Sequence, residues 1–317
     1  VRALVTGAGG FVGANLVRRL LADGHEVKAL VRSDTDRWRL DGLAADLDVG
    51  EVDLRDGGAV ADVVATAKPE VVFHLAARGA YSWQTDAREI IETNVLGTSN
   101  VVDAARQAEV RALVNTGSSS EYGFKDHAPA EDEALEPNSV YGVAKAAATL
   151  LCSVAAQLHG VAVTTLRLYS AYGPYEEPGR FVSALVEAAL RGRLPVLASP
   201  DVARDFVWVG DVVEAYLRVA GAPSAGAVYN VGSGRQTTLA QAVDAARRVL
   251  DVSEEPSWSS MADRSWDTEL WVADVTKIER ELGWRPAVDF DEGLGRTAEW
   301  LRGDAAARAR YAERALR

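Results

Sequence analysis

The sequence predicts an α/β fold, a doubly wound parallel sheet with a smaller C-terminal substrate-binding lobe, from three observations. A glycine-rich turn near the start of the chain separates a short apolar strand from a helix. Strand-like and helical segments then alternate as far as residue 168, and beyond it Pro and Gly interruptions shorten the elements.

Ala3, Leu4, Val5 and Thr6 read as a buried strand, Gly7, Gly10 and Gly13 as the turn, and residues 14–22 as a helix that stops at Gly24. Residues 26–31 follow as a second strand, at the distance a βαβ unit requires. In such a Rossmann-type unit the absent side chains let the backbone approach a pyrophosphate, and the helix N-terminus faces the anion. Phe11 and Val12 complete the turn. Strands are expected at residues 49–53, 71–76, 112–116 and 163–168, and helices at 60–67, 90–108 and 141–159. This assigns residues 1–168 to a dinucleotide-binding domain and 169–317 mainly to a substrate-binding lobe, with segments near 205–231 returning to the main sheet. The tryptophan-rich stretch from 258 to 284 is expected to pack inside the smaller lobe.

Composition narrows the class. The 317 residues are 48% hydrophobic and 25% charged, proportions of a globular chain with room for a large core. The first apolar stretch is too short for a secretory leader, and no run looks long enough to cross a bilayer, so a cytoplasmic protein is expected. One cysteine, Cys152, excludes an internal disulfide and reads as a small buried hydrophobe. Four scattered His and no Cys pair give no metal site. A net charge of −12 argues against nucleic acid or an anionic membrane as a partner, so local arginines or helix N-termini must hold any anionic ligand.

Tyr141 and Lys145 stand four residues apart, on one face of the predicted helix. A phenol titrates near pH ~10 and needs a neighbouring cation to act as an acid/base at neutral pH. Lys145 is placed to provide one, although a surface Tyr and Lys on an ordinary helix fit the same spacing.

Several motifs occur in a characteristic order: Thr6-Gly-x-x-Gly-x-x-Gly13, Val52-Asp53-Leu54-x-Asp56, His74-Leu75-Ala76-Ala77, Asn94-Val-x-Gly97-Thr98, Ser118 and Tyr141-x-x-x-Lys145. Arg204-Asp205-Phe206-Val207, Asn230-Val-Gly232 and Leu282-Gly283-Trp284-x-Pro286 extend the set over nearly the whole chain. Through these residues the chain resembles the extended short-chain dehydrogenases/reductases of the NAD-dependent epimerase/dehydratase family. The resemblance implies that Tyr141 is the general acid/base at a sugar oxygen, that Ser118 hydrogen-bonds that oxygen, and that Lys145 holds the nicotinamide ribose and lowers the Tyr pKa. It also implies that Asp53 and Leu54 flank the adenine and that Leu75, Ala76, Ala77 and Asn94 line the cofactor groove. Arg204 and Arg264 match arginines that grip a nucleotide-sugar diphosphate. Arg78, Ser119, Ser120, Glu121, Tyr169 and Ser170 lie on loops expected to touch the sugar.

Val31 stands where NAD enzymes usually carry an acidic residue and Arg32 follows it, a pattern favouring NADP(H), while Asp34 keeps NAD(H) open. Sugar 4,6-dehydratases show a Thr-Asp-Glu type sequence where this chain has Ser118-Ser119-Ser120, so only Glu121, one residue later, could supply a carboxylate. The nearest likeness is to nucleotide-sugar 4-ketoreductases of the CDP-abequose/CDP-paratose synthase or GDP-4-keto-6-deoxymannose reductase type. The expected activity is therefore NADPH-dependent reduction of the C4 ketone of a nucleotide-linked deoxyhexose. The alternatives are a C4 epimerase, then a 4,6-dehydratase, and a non-catalytic dinucleotide-binding protein. The family also implies a homodimer made by helices matching residues 90–108 and 141–159.

Overall fold

The computed structural model describes residues 1–43, 47–259 and 268–315. The strands are β1 (Arg2–Thr6), β2 (Glu26–Val31), β3 (Asp48–Glu51), β4 (Val71–His74), β5 (Ala112–Ser118), β6 (Val163–Leu168), β7 (Ser170–Tyr172), β8 (Ala203–Arg204), β9 (Phe206–Trp208), β10 (Val228–Val231) and β11 (Thr237–Thr238). The helices are α1 (Phe11–Ala22), α2 (Gly57–Ala67), α3 (Ala87–Ile91), α4 (Gly97–Gln107), α5 (Val140–His159), α6 (Phe181–Ala189), α7 (Val209–Gly221), α8 (Leu239–Leu250), α9 (Thr276–Leu282), α10 (Phe290–Gly303) and α11 (Ala305–Ala315).

Seven strands form one sheet in the order β10-β6-β5-β4-β1-β2-β3, every pair parallel. The chain moves from β1 outward through β2 and β3, then crosses to β4 on the other side of β1. The crevice at that reversal lies outside the carboxyl ends of the strands, where open α/β sheets bind ligands. Register brings those ends level: Thr6 is opposite His74, and Ser118 is opposite Leu168. The central strands are almost continuously apolar because helices cover both of their faces. Leu16, Val17 and Leu20 of α1 pack one face with Val212 and Tyr216 of α7, while Val60, Val101, Cys152 and Ala155 pack the other.

A second core gathers Leu185, Val243, Leu294 and Tyr311 from α6, α8, α10 and α11. The short pairs β7–β9 and β8–β11 join this lobe to the mouth of the sheet. Trp284 departs from the sequence expectation. It is 1% exposed inside the main core, with its indole N–H donating to the Asp211 carbonyl at 3.0 Å. The tryptophan-rich stretch is therefore divided between the two lobes, and Trp266 lies outside the described residues.

By length and composition α5 passes as a membrane span, contrary to the sequence reading. Its placement makes it a core helix of the sheet layer, with Ala144, Lys145, Ala148, Thr149 and Cys152 all buried. Residues 87–107 run as one helical course through α3, a π-turn at Glu92–Leu96, and α4. The π-turn carries Asn94.

Candidate active site

Gly7 leaves β1 with φ +66°, and a Cβ there would stand 2.6 Å from the Ala76 backbone nitrogen. Only glycine permits both the left-handed conformation and that approach. The turn continues through Gly10, which caps α1 without a side-chain hydrogen bond. The first N–H groups of the helix, at Phe11, Val12 and Gly13, thus open an uncapped, anion-preferring end onto the crevice. These features fit a dinucleotide pyrophosphate.

The groove wall is fixed by a buried hydrogen-bond chain. Thr98 donates its hydroxyl to the Asn94 carbonyl at 2.6 Å, so toward His74 Nε2, 3.0 Å away, it can only accept. Burial lowers the His74 pKa to about 3, leaving the ring neutral with Nδ1 as acceptor for Thr6 Oγ1 at 2.7 Å. Thr6 Oγ1 in turn accepts from the Ala76 N–H at 3.3 Å. Asn94 completes the brace: its side chain accepts from the Arg78 N–H at 2.9 Å and donates to the Arg78 carbonyl at 2.7 Å. Leu75, Ala76 and Ala77 are thereby held beside Gly7, and Asn94 acts through the backbone of this loop.

Arg32 does not stand free. Asp34 Oδ1 lies 3.1 Å and Glu89 Oε1 3.4 Å from its guanidinium. Glu89 also holds Arg78 at 2.7 Å. Arg78, expected to touch the sugar, is thus committed to an ion pair with Glu89. Asp53 binds Arg55 at 2.6 Å, and that guanidinium holds its carboxyl below the usual range. Leu54 is buried, and its carbonyl accepts from Asn100 at 2.8 Å.

The reacting groups come from β5 and α5. Ser139 caps α5 through the Gly142 N–H at 3.1 Å. A Cβ on Gly142 would lie 2.6 Å from the Ser120 carbonyl, so this glycine lets the helix close on the loop after β5. Tyr141 is thereby brought close enough to the Ser118 side chain for that hydroxyl to favour its phenolate. Burial pushes the phenol up to about 12, against the lowering effects of Ser118 and Arg180. Lys145 is 4% exposed and donates to the Thr116 carbonyl at 2.7 Å. Desolvation pulls its pKa down to about 8, and the Glu121 charge opposes the shift.

Lys145→Met is expected to abolish turnover yet stabilise the fold at pH 7 by ~1–3 kcal/mol. The folded pKa of about 8 lies below the ordinary 10.5, so the unfolded chain binds more protons between these values. Wild-type stability therefore rises with pH across that window, and the advantage of Met is full below pH 8 and gone above 10.5. Urea unfolding at the two ends of the window checks this, and equal stabilities at pH 7 would contradict it.

Glu121 requires a correction. It is fully buried, with one carboxylate oxygen accepting the Ser118 N–H at 2.8 Å and the other bound to Arg167 Nε at 2.8 Å. Arg167 also donates to the Tyr122 hydroxyl, which donates to Asn230 at 2.8 Å. Glu121 cannot reach a substrate; it fixes the loop that carries Ser118. Ser119 is also buried, its Oγ accepting from Trp271 Nε1 at 3.2 Å, while Ser120 is half-buried.

On the lobe side, Ser170 begins β7 with its N–H on the Asp205 carbonyl, and the Arg204 guanidinium donates to the Ala203 carbonyl at 2.7 Å. Arg264 lies outside the described residues. Sequence reasoning quoted Asp205 in a motif without giving it a role. Its buried carboxylate accepts from Ser233 N, Ser233 Oγ, Gly234 N and Ala273 N, clipping together three segments of the lobe. Arg167 was missed outright, because nothing in its spacing from Glu121 announces the pair.

The profile of the NAD dependent epimerase/dehydratase family matches residues 3–232. The chain belongs to that family. The epimerase/dehydratase chain is 34% identical to UDP-glucose 4-epimerase of Mycolicibacterium smegmatis, over 95% of this chain and 99% of the relative. Its fold superposes on UDP-glucose 4-epimerase of Thermotoga maritima, solved with UDP-glucose, with a TM-score of 0.87, 28% identity and coverage of 96% and 99% of the two chains. The dTDP-glucose 4,6-dehydratase DesIV of Streptomyces venezuelae, solved with NAD and TYD, gives a TM-score of 0.87 at 30% identity, covering 96% and 98%. This epimerase/dehydratase family member is thus similar to nucleotide-sugar enzymes, among them one solved with NAD.

Proposed function

We propose that the chain is a nucleotide-sugar C4 epimerase using NAD. The observation that carries this reading is the hydroxyl-only loop after β5. Ser118 faces Tyr141, Ser119 and Ser120 follow it, and the carboxylate next in the chain, Glu121, is sealed against Arg167. Elimination of water needs a positioned acid and base that these serines do not supply. Oxidation and re-reduction at one carbon, with hydride passing to and from a nicotinamide, needs of the protein only a phenol, a hydroxyl and a cation.

A bound nicotinamide dinucleotide would supply the hydride acceptor and donor. Tyr141 takes the C4 hydroxyl proton as hydride leaves C4 and returns it after the ketone has presented its other face. Ser118 hydrogen-bonds the same oxygen and stabilises its developing charge. Lys145, close to its titration midpoint of about 8, brings the positive charge that a phenolate requires.

The 4-ketoreductase expected from the sequence uses the same three residues but consumes a reduced cofactor. Two features support the epimerase over it: the 34% identity to a UDP-glucose 4-epimerase and the occupied Arg32. Two carboxylates around that guanidinium oppose a 2′-phosphate, which favours NAD over NADP.

The deciding assay incubates the protein and NAD with UDP- and dTDP-glucose and galactose, separating products by anion exchange and identifying them by NMR. Interconversion of C4 epimers without net nicotinamide absorbance change is expected. Stoichiometric NADPH oxidation with a 4-keto sugar, or formation of a 4-keto-6-deoxy product, would overturn the assignment. Turnover in no direction, with intact NAD binding, would favour a non-catalytic role.

The reading includes a homodimer. Val143, Leu150, Val154 and Leu158 of α5 are exposed, Leu158 at 71%, and Ile91 and Leu96 of the neighbouring helical course are exposed with them. Such a stripe suits pairing with a second copy. Mass photometry is expected to show a dimer that Leu150→Asp splits; a wild-type monomer at micromolar concentration would refute it.

A further inference from the structure

A buried ion pair ties the smaller lobe to the cofactor side of the sheet. Arg39 lies on the short 3₁₀ turn Trp38–Leu40, past the end of β2, and Glu177 on the loop between β7 and α6. Their side chains are 9% and 10% exposed, and Arg39 Nη2 donates to Glu177 Oε2 at 3.1 Å. Arg39 Nε donates to the Tyr175 carbonyl at 2.6 Å. One guanidinium therefore holds two points of the lobe loop. From α1, Asn15 donates to the Pro174 carbonyl at 2.9 Å, and the Arg18 guanidinium sits 3.9 Å from the centre of the Tyr175 ring.

That loop is kept in an unfavourable course. Tyr175 has φ +69°, in the left-handed region that a bulky side chain avoids. Such a conformation persists where the surroundings enforce it, and it clusters at switch regions and ligand clamps. Enforcement here comes from Arg39, Asn15 and Arg18, all of them on the dinucleotide-binding side. A polar cavity of about 90 Å³ borders the ion pair, lined also by Asp36, Trp38, Pro178 and Arg310. Room for water beside the two charges lets them part into a hydrated space instead of an apolar one. The pair is thus shielded from bulk solvent yet able to open.

Both ends of this clasp reach a ligand site. Before Arg39, the Thr35 methyl stands 2.7 Å from where a Cβ on Gly9 would lie, so the segment after β2 rests on the glycine turn. Beyond Glu177, Arg180 precedes α6, and its charge acts on the Tyr141 phenol.

We propose that Arg39 is a positioning residue that, through Glu177 and Tyr175, couples dinucleotide binding to nucleotide-sugar binding. A dinucleotide on the glycine turn fixes the segment that presents Arg39, and Arg39 sets the lobe loop for the second ligand. Linkage makes the effect mutual, so a nucleoside diphosphate in the sugar site tightens the dinucleotide by the same factor. The inference rests on the NAD and nucleotide-sugar reading and names the residues that join its two sites.

The test measures NAD affinity of the full chain, stripped of cofactor, by calorimetry, alone and with whichever of UDP, dTDP, CDP and GDP binds the NAD-loaded protein. In the wild type the nucleotide is expected to lower the Kd for NAD about tenfold. In Arg39→Met the two Kd values should agree within about twofold. Arg39→Met/Glu177→Met removes the stranded carboxylate as well, so it should melt near the wild-type temperature while still lacking the coupling. A wild type whose NAD affinity ignores the nucleotide would overturn the clasp. So would variants that melt lower but keep the tenfold factor, since the pair would then be structural only. Loss of NAD binding in both variants would place Arg39 in the cofactor site itself and overturn it equally. If none of the four nucleotides binds the NAD-loaded wild type, the nucleotide-sugar reading fails and the coupling fails with it.

Discussion

Tyr141→Phe is expected to lower kcat about 10³-fold while leaving NAD affinity within about twofold of wild type. The substitution removes one oxygen from a ring whose place is set by α5, and α5 is held by its Ser139 cap and by the approach of Gly142 to Ser120. The fold therefore has no reason to move. Ser118 keeps its contact with the Ser120 N–H at 3.2 Å, so the residual activity reports on the hydroxyl alone. Rapid mixing with UDP-glucose would show whether hydride transfer itself slows. If Tyr141→Phe retained more than a tenth of wild-type turnover, another group would have to carry the proton. His74 is not that group, since burial keeps it neutral and both of its ring nitrogens are committed between Thr6 and Thr98.

Arg167→Met should cost about 3–5 kcal/mol of stability, because it strands the Glu121 carboxylate where its side chain is fully buried. The direction with pH follows from that carboxylate. Desolvation already raises its pKa in the wild type, with Arg167 as the largest opposing influence. Without Arg167 the folded pKa rises further, so the loss is full at neutral and alkaline pH and shrinks as acid protonates the group. Urea titrations at pH 5 and pH 8 would reveal the difference. The double variant Glu121→Gln/Arg167→Met should recover much of the loss, since it removes the unpaired charge. A single substitution costing less than about 1 kcal/mol at pH 8 would show that the pair does not brace the Ser118 loop.

These two residues mark the boundary between what the linear chain discloses and what it hides. Tyr141 and Lys145 were legible because a helix repeats every 3.6 residues, so their spacing alone places them on one face. The glycine turn was legible because only glycine serves a backbone that must pass close to its neighbour, as Gly7 passes Ala76. The parallel sheet followed from alternating strand and helix, since buried parallel strands need apolar runs separated by crossovers.

Contacts between residues far apart in the chain carry no such period. Glu121 looked available for catalysis until Arg167, 46 residues on, was seen to hold it. Arg32 looked open to a 2′-phosphate until Glu89, 57 residues on, was found against it. Trp284 was placed with the smaller lobe, yet its indole lies on Asp211 in the main core. The sequence by itself determined the sheet, the glycine turn and the placing of Tyr141 and Lys145 on one helix face, because local geometry and hydrophobic period dictate them, whereas Ser118 entered only through the family resemblance. Which carboxylates are spent on ion pairs, and which hydroxyls face the crevice, was decided only when the tertiary structure closed loops that the chain keeps tens of residues apart.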